Sequence, residues 1–432
     1  MPTNFRVSPF SVDVTIPLGH RCMGLLPTKS KEIIDPLQAH GFVLQTGDDP
    51  IVQVAVDWCE IRNEAYERWR EVIAKSVGTT KEKVLLSCLH QHDAPVTDIG
   101  AQNLLDRAGL VGELFDFAFH EQCVQKVAAA AKASMAKAQP VTHLGTGQAK
   151  VEMLASNRRV VRPNGAVSFD RGSRAAHDAF MAAAPDGEID PFLKTLSFWN
   201  GDKPLLALHA YATHPMSYYG GGGVTYDFVG MARERRRADD PSIQQIYVSG
   251  CSGDVTAGKY NNGSKDSRPL LADRLYQAMK TAWQETKRVP LDQANVRVGK
   301  LELPFRAEER YSSAALLAQI EDTKLTTEKR IYAAMSLSSR RRVLEHQPID
   351  VPVIDFGPAQ LVLFPGEAFV GYQLMAQQMR PDRFVVSIGY GECWPGYIPM
   401  ASSFADKFED TWLWVPAGCE ERIRAVLAKV LK

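Results

Sequence analysis

The chain has no surplus of either charge: Lys plus Arg and Asp plus Glu each number 50 in 432 residues. Nothing in that balance would draw it to nucleic acid or to an anionic membrane. The seven cysteines are an odd number and include no CxxC pair. That argues against a disulfide framework and fits a reducing compartment. No apolar run reaches the length of a membrane span. The opening MPTNFRVSPF lacks a basic stretch followed by an apolar one. A cytoplasmic protein is expected, or an exported one whose signal peptide is missing from this chain. There is no repeat, no low-complexity tract and no evident linker, so residues 1–432 are expected to form one catalytic unit.

What the chain does contain is a series of short apolar runs, each ending in chemistry-bearing residues. Val84 to Leu89 reads as a buried strand and runs into His90-Gln91-His92-Asp93. Residues two apart on an extended backbone share a face, so His90 and His92 can meet at one site. They are either a pair of metal ligands or two ordinary histidines at a strand end. Before them, Ile61, Ala65, Trp69, Val72 and Ile73 recur at helical spacing, with Gly78 placed to end the helix. Strand, helix, strand in that order suggests a layered α/β arrangement with its site at strand C-terminal ends.

Further on, Phe115 to Lys137 reads as a long helix stopped by Pro140, and residues 192–200 and 204–210 as paired strands around Asn200-Gly201-Asp202. The second of these leads to His209, His214 and the glycines Gly220 to Gly223, which permit close approach to a ligand. Two histidines, two tyrosines and Asp227 around that run point to a site rather than a plain surface loop. Ile246 to Ser249 leads to GCSGDVTAGKY, a glycine-rich turn without the GxxxxGK[ST] spacing of a phosphate loop. Gln360 to Phe364 ends in FPGEAF and so places Glu367 just past a strand. A strand over 383–388 precedes GYGECWPGYIPM. Arg158, Arg159 and Arg162 are either surface charges or an anion-recognising loop. The run Arg233 to Arg237 is expected to be a solvated helix face.

Four loops, LHQHDAP, ATHPMSYY, LFPGEAF and CWPGYIPM, stand at these strand ends in a fixed order. Together they resemble the neutral/alkaline non-lysosomal ceramidases, over about residues 8–400. That family's pattern is His-Thr-His-Ser-Gly-Pro, a His-containing loop, Gly-Asp-x-Ser-Pro-Asn, Phe-Pro-Gly-Glu and a tyrosine in a Gly-Tyr segment. The resemblance implies an α/β fold, a layered mixed β-sheet core flanked by helices, without the family's C-terminal immunoglobulin-like domain. It implies a zinc hydrolase cleaving an amide, with zinc held by His90, His214, Glu367 and Tyr397. His92 would sit beside the metal and polarise substrate. Thr256 stands where the family has its functional serine, and Arg158 where it has the arginine of an Asn-Arg segment.

The chemistry is coherent: two imidazoles, a carboxylate and one weakly held position make a hydrolytic zinc site. Departures fall on residues expected to touch substrate. Ser-Gly-Pro becomes Asp93-Ala94-Pro95, Gly-Asp-x-Ser becomes Gly253-Asp254-Val255-Thr256, and Trp394 sits three residues before Tyr397. Asp93 and Thr256 are assigned catalytic roles beside His92, and Asp227, Trp394 and Arg158 substrate contacts. With Tyr218, Tyr219 and Tyr226 crowding the same loops, the expected pocket is more polar than that of a ceramidase and a poor fit for long-chain ceramide. The alternatives are a zinc hydrolase of a carbohydrate-like or other polar substrate, or a non-catalytic binding protein. The partner is a small molecule in the first two readings, and a homo-oligomer is possible.

Overall fold

The computed structural model describes residues 5–432. Three sheets carry the architecture, each continuous through four or five strands. The first runs Val84–Cys88, Ile51–Val56, Gln38–Gln45, Arg6–Asp13, Gln139–Pro140. The second runs Gln244–Ser249, Lys203–Tyr211, Phe192–Asn200, His143–Lys150, Lys287–Pro290. The third runs Asn295–Leu301, Ile349–Asp355, Ala359–Leu363, Phe384–Ile388. All three contribute to one apolar core. Phe42 and Leu85 from the first sheet, Phe198 and Val248 from the second, and Leu361 and Ile388 from the third belong to the same buried cluster.

Helices cover the other sides. Asn63–Val77 and Phe117–Ser134 pack on the first sheet through Trp69, Ile73, Val124 and Val127. Asp227–Asp239 and Ser267–Gln284 cover the second through Phe228, Ala232, Leu271 and Leu275. Ser313–Glu321, Thr327–Leu344, Val370–Met379 and Cys419–Val430 close the third region. As expected, Gly78 ends the first helix, in the left-handed conformation at φ 78°.

Each sheet is antiparallel except for one parallel pair: Ile51–Val56 with Val84–Cys88, Lys203–Tyr211 with Gln244–Ser249, and Ala359–Leu363 with Phe384–Ile388. These six strands are buried along nearly their whole length, which explains continuous runs such as VLLSC and AQLVL instead of alternation. Their C-terminal ends meet. Cys88 N donates to Tyr390 O at 2.9 Å, Gly389 N to Ser249 O at 2.8 Å, and Ser249 Oγ to Leu89 O at 2.8 Å, tying the three sheets in a ring. The approach is close enough that a Cβ on Gly389 would lie 2.6 Å from Gly250 O. Loops leaving strand C-termini at such a meeting point are where α/β folds place ligands.

The basic run differs from its expectation. Arg237 is exposed and Arg235 half-buried, but Arg233 is fully buried and forks onto Asp57 with Nη–Oδ distances of 2.7 and 2.8 Å. Arg236 is buried too. The helix over 227–239 lies flat on its sheet, so every third or fourth position must face inward whatever its charge. Among the described residues, no helix is long and apolar enough to cross a membrane.

Candidate metal centre and active site

Each parallel pair delivers side chains to one cavity of about 220 Å³. The chain leaves Val84–Cys88 and turns at His90, whose φ of 67° is left-handed. Glu367 lies in a two-residue strand that pairs in parallel with Tyr397-Ile398, and Glu367 is directly opposite Tyr397. Ser156-Asn157 pairs with Val255-Thr256, which sets Arg158 at the cavity beside Thr256. His214 follows Lys203–Tyr211, and its backbone N donates to Val255 O at 2.8 Å.

Three lone pairs converge here. His214 Nδ1 donates to Ser252 O at 2.6 Å, and His90 Nδ1 donates to Cys59 O at 3.2 Å. Carbonyl oxygens only accept, so both protons sit on Nδ1 and both Nε2 atoms are bare in the neutral rings. Those Nε2 atoms lie 3.0 Å (His214) and 3.3 Å (His90) from the same Glu367 Oε2. Three acceptors facing one another in a buried site repel unless a metal ion or a proton lies among them. The donor atoms lie within 4.8 Å of one another, the set is two imidazole nitrogens and a carboxylate, and both rings are oriented by backbone carbonyls. This is what a hydrolytic zinc site requires, so His90, His214 and Glu367 fit the metal.

The electrostatics agree. Burial works against ionising Glu367, yet His90 and His214 hold its carboxyl well below the usual range. Burial would lower His90, but Glu367, with Glu60 behind it, raises it above its ordinary value. His214 is lowered, by burial first, with Glu367 opposing.

Around these three stand the groups that face the cavity. The His92 ring is 5.3 Å from that of His90 and 4.7 Å from that of Tyr219, and its buried Nδ1 has no protein partner. Burial holds it well below its ordinary value, so it is a neutral base. Arg158 Nη1 donates to Tyr397 Oη at 2.7 Å, and its guanidinium carbon is 5.3 Å from that ring's centre. Burial pushes the Tyr397 phenol well up, with Arg158 opposing. Thr256 lines the cavity and its Oγ1 accepts from Gly258 N at 3.0 Å.

Two solved structures superpose on this arrangement. Neutral ceramidase from Pseudomonas aeruginosa matches with a TM-score of 0.72 at 16% identity, covering 99% of this chain and 74% of its own. A ceramidase complexed with C2 matches at 0.71 and 17% identity, over 99% of this chain and 75% of its own. The fold is that of neutral ceramidase. No protein-family model and no curated protein sequence matches the chain.

On the neutral ceramidase fold, seven of the ten expected site residues line the cavity: His90, His92, Arg158, His214, Thr256, Glu367 and Tyr397. Three do not. Trp394, expected as a substrate contact, lies away from this cavity. It is buried and stacked on Phe305 at 6.4 Å, and it lines a separate cleft with Leu301, Leu303 and Val343. The turn through Gly396 (φ 60°) brings only Tyr397 back to the cavity. Asp93 and Asp227 are braces rather than cavity walls. Asp93 Oδ1 accepts from Gly220 N at 2.9 Å, and Asp227 Oδ2 accepts from Ser217 N, Ser217 Oγ and Arg268. Between them they pin the Ser217–Gly220 turn. Tyr218 lies against Arg268 and Tyr226 against Arg233, so only Tyr219 of that trio reaches the cavity. His209 is held by Thr195 and Gln245 inside the second sheet.

Sequence reasoning missed several neighbours. Tyr390 stacks flat on His90 at 4.3 Å and bonds Ser252 Oγ through its hydroxyl. Its Gly-Tyr context, the same as that of Tyr397, was the available signal. Cys59, Asp410 and Thr411 line the cavity with no signal in their own stretches.

Proposed function

We propose that this protein is a zinc-dependent hydrolase that cleaves an N-acyl bond in a small molecule. The observation that carries the reading is the convergence of the two bare Nε2 atoms and Glu367 Oε2 beside an unpartnered His92. Zinc held by His90, His214 and Glu367, with Tyr397 as the fourth ligand, would supply Lewis acidity towards the carbonyl and a water acidified to near neutral pH. The protein's own residues account for the rest. His92, neutral and free at Nδ1, can take a proton from the attacking water and return it to the leaving nitrogen. Arg158 and the Thr256 hydroxyl can stabilise the charge that grows on the carbonyl oxygen. Tyr219 and Tyr390 hold the two histidine rings in place. The fold likeness to neutral ceramidase supports an amide as the bond, and retention of the three donors argues against a purely binding role.

Elemental analysis with a panel of N-acyl substrates tests this. About one zinc per chain and hydrolysis of at least one amide are expected, as for a mononuclear site. His92→Ala should keep its zinc and lose about two orders of magnitude in turnover, the usual loss for one such group. No zinc, or zinc undiminished in a His90→Ala, His214→Ala double variant, would sink the reading.

A further inference from the structure

A second set of three donors shares the cavity with the first. Cys59 Sγ and one ring nitrogen each of His90 and His92 lie within 4.8 Å of one another, and all three residues are buried. Two observations set Cys59 apart from a cysteine that only fills space. It stands on the cavity wall, with Sγ 3.9 Å from His90 Nδ1. His92 lines the same cavity at 6% exposure, and no described residue satisfies its buried Nδ1. Metal–nitrogen and metal–sulfur bonds of about 2.0–2.3 Å put tetrahedral donors roughly 3.5 Å apart, so these three need only small side-chain adjustments to close on one ion.

The two sets differ in chemistry. His214 and Glu367 bring a nitrogen and a hard carboxylate oxygen to the first, whereas Cys59 and His92 bring a soft sulfur and a nitrogen to the second. Thiolate ligands favour soft cations such as copper(I), and carboxylates favour harder ones. His90 belongs to both sets. Its Nδ1 is committed to Cys59 O at 3.2 Å, so the ring has one lone pair to give and serves one ion at a time.

We propose that Cys59, His90 and His92 form an alternative site for a soft, thiophilic cation, whose occupation draws His90 away from the Glu367 set. On loading, the Sγ–H bond breaks, the sulfur keeps the electron pair and donates it to the metal, and the proton leaves to solvent. The proposal concerns the ligands alone and holds whether or not an amide is the substrate.

Cadmium(II) is the probe, titrated into the full chain after metal removal with a chelator and reduction of the thiols. Thiolate-to-cadmium charge-transfer absorption in the ultraviolet reports a sulfur ligand. The wild type should develop this band and saturate at about one ion per chain, as for a mononuclear site. Cys59→Ser, which keeps the side chain's size and replaces sulfur with a hard oxygen, should lose the band; Cys59→Ala is the second variant, and Tm checks that both fold. His214→Ala damages only the first set and should keep the band. In zinc-loaded wild type, growth of the band should release zinc in equal amount, read with a chromogenic chelator. No band in the wild type, a band that survives either Cys59 substitution, a band lost in His214→Ala, or a band gained without zinc release overturns the proposal. If the stripped chain takes up no zinc at all, the zinc reading fails, and the band in the three variants still decides this one.

Discussion

Neutralising Glu367 isolates the physics of the proposed metal centre. With zinc absent, only a proton, which Glu367 favours on His90, relieves the three atoms that face one another in a site that is almost fully buried. With it present, all three are satisfied. Zinc at a free concentration a thousandfold above its Kd stabilises the folded state by about 4 kcal/mol. At about 2.1 cal/mol/K per residue, 432 residues give an unfolding entropy of about 0.9 kcal/mol/K. Adding zinc to chelator-stripped protein should therefore raise Tm by about 4–5 °C. In Glu367→Gln the amide keeps the shape of the carboxyl group, but its nitrogen can donate to one imidazole lone pair. The stripped variant should melt no lower than the stripped wild type, and zinc should raise its Tm by less than about 1 °C, since little binding energy remains. Scanning calorimetry at pH 8 on the four samples decides this. A wild type indifferent to chelation, or a variant with the full zinc shift, would refute the argument that the three lone pairs exist to hold a cation.

Three further outcomes follow from single contacts. Arg158→Met should keep zinc and lower kcat/KM by about 10²–10³-fold, because it removes the guanidinium from Tyr397 and from the reacting carbonyl without touching the three donors; steady-state kinetics with metal analysis checks it. Arg233→Ala should cost about 3–5 kcal/mol by denaturant unfolding because it strands the buried Asp57, whereas Arg237→Ala on the exposed side of the same helix should cost less than about 0.5 kcal/mol. Asp254 sets a pH dependence: burial raises its carboxyl from 3.8 to about 6 despite hydrogen bonds from Val370 N and Asn157 Nδ2. The folded state binds the proton more tightly than the unfolded chain, so this group's contribution is fullest below pH 3.8 and is lost as pH rises through 6. The loss is at most about 3 kcal/mol. Asp93 and Glu392, also raised by burial, titrate in the same window, so unfolding between pH 4 and 7 should show a slope in the wild type that Asp254→Asn makes shallower by this group's share.

Much of the frame was legible because apolar runs and turn residues speak for themselves. Val84–Cys88, Phe192–Asn200, Ala359–Leu363 and the helix ended by Gly78 all sit within a few residues of their expected positions. At the site, position after a strand was a better guide than direction of side chain. His90 and His92 do share a cavity, but not by strand alternation. The strand ends at Cys88 and a left-handed His90 sets the geometry. Asp93 and Trp394 show the converse. Each is adjacent in sequence to a residue on the cavity wall or close to one, and each is turned to another task, one on Gly220 and one on Phe305. Arg233 was misread because a run of like charges looks solvated until the helix is laid on a sheet and some positions must face inward.

Asp410 marks the limit of what a linear reading reaches, for a physical reason. Of the candidate metal-facing residues, Glu367 and Tyr397 lie in two-residue strands hydrogen-bonded to one another, and His90 and His214 follow closely on strands of two parallel pairs. The ladders fix Glu367 and Tyr397 directly and set where the chain leaves towards His90 and His214. Asp410 belongs to an irregular segment laid over the cavity by an isolated bridge between Gly396 and Leu413 and a bond from Tyr397 N to Trp412 O at 2.9 Å. Such a segment can change its side chains without disturbing the ladders beneath it. A fold likeness at 16% identity speaks for the frame that positions these loops, and the roles of the side chains they carry rest on the chemistry of the cavity itself.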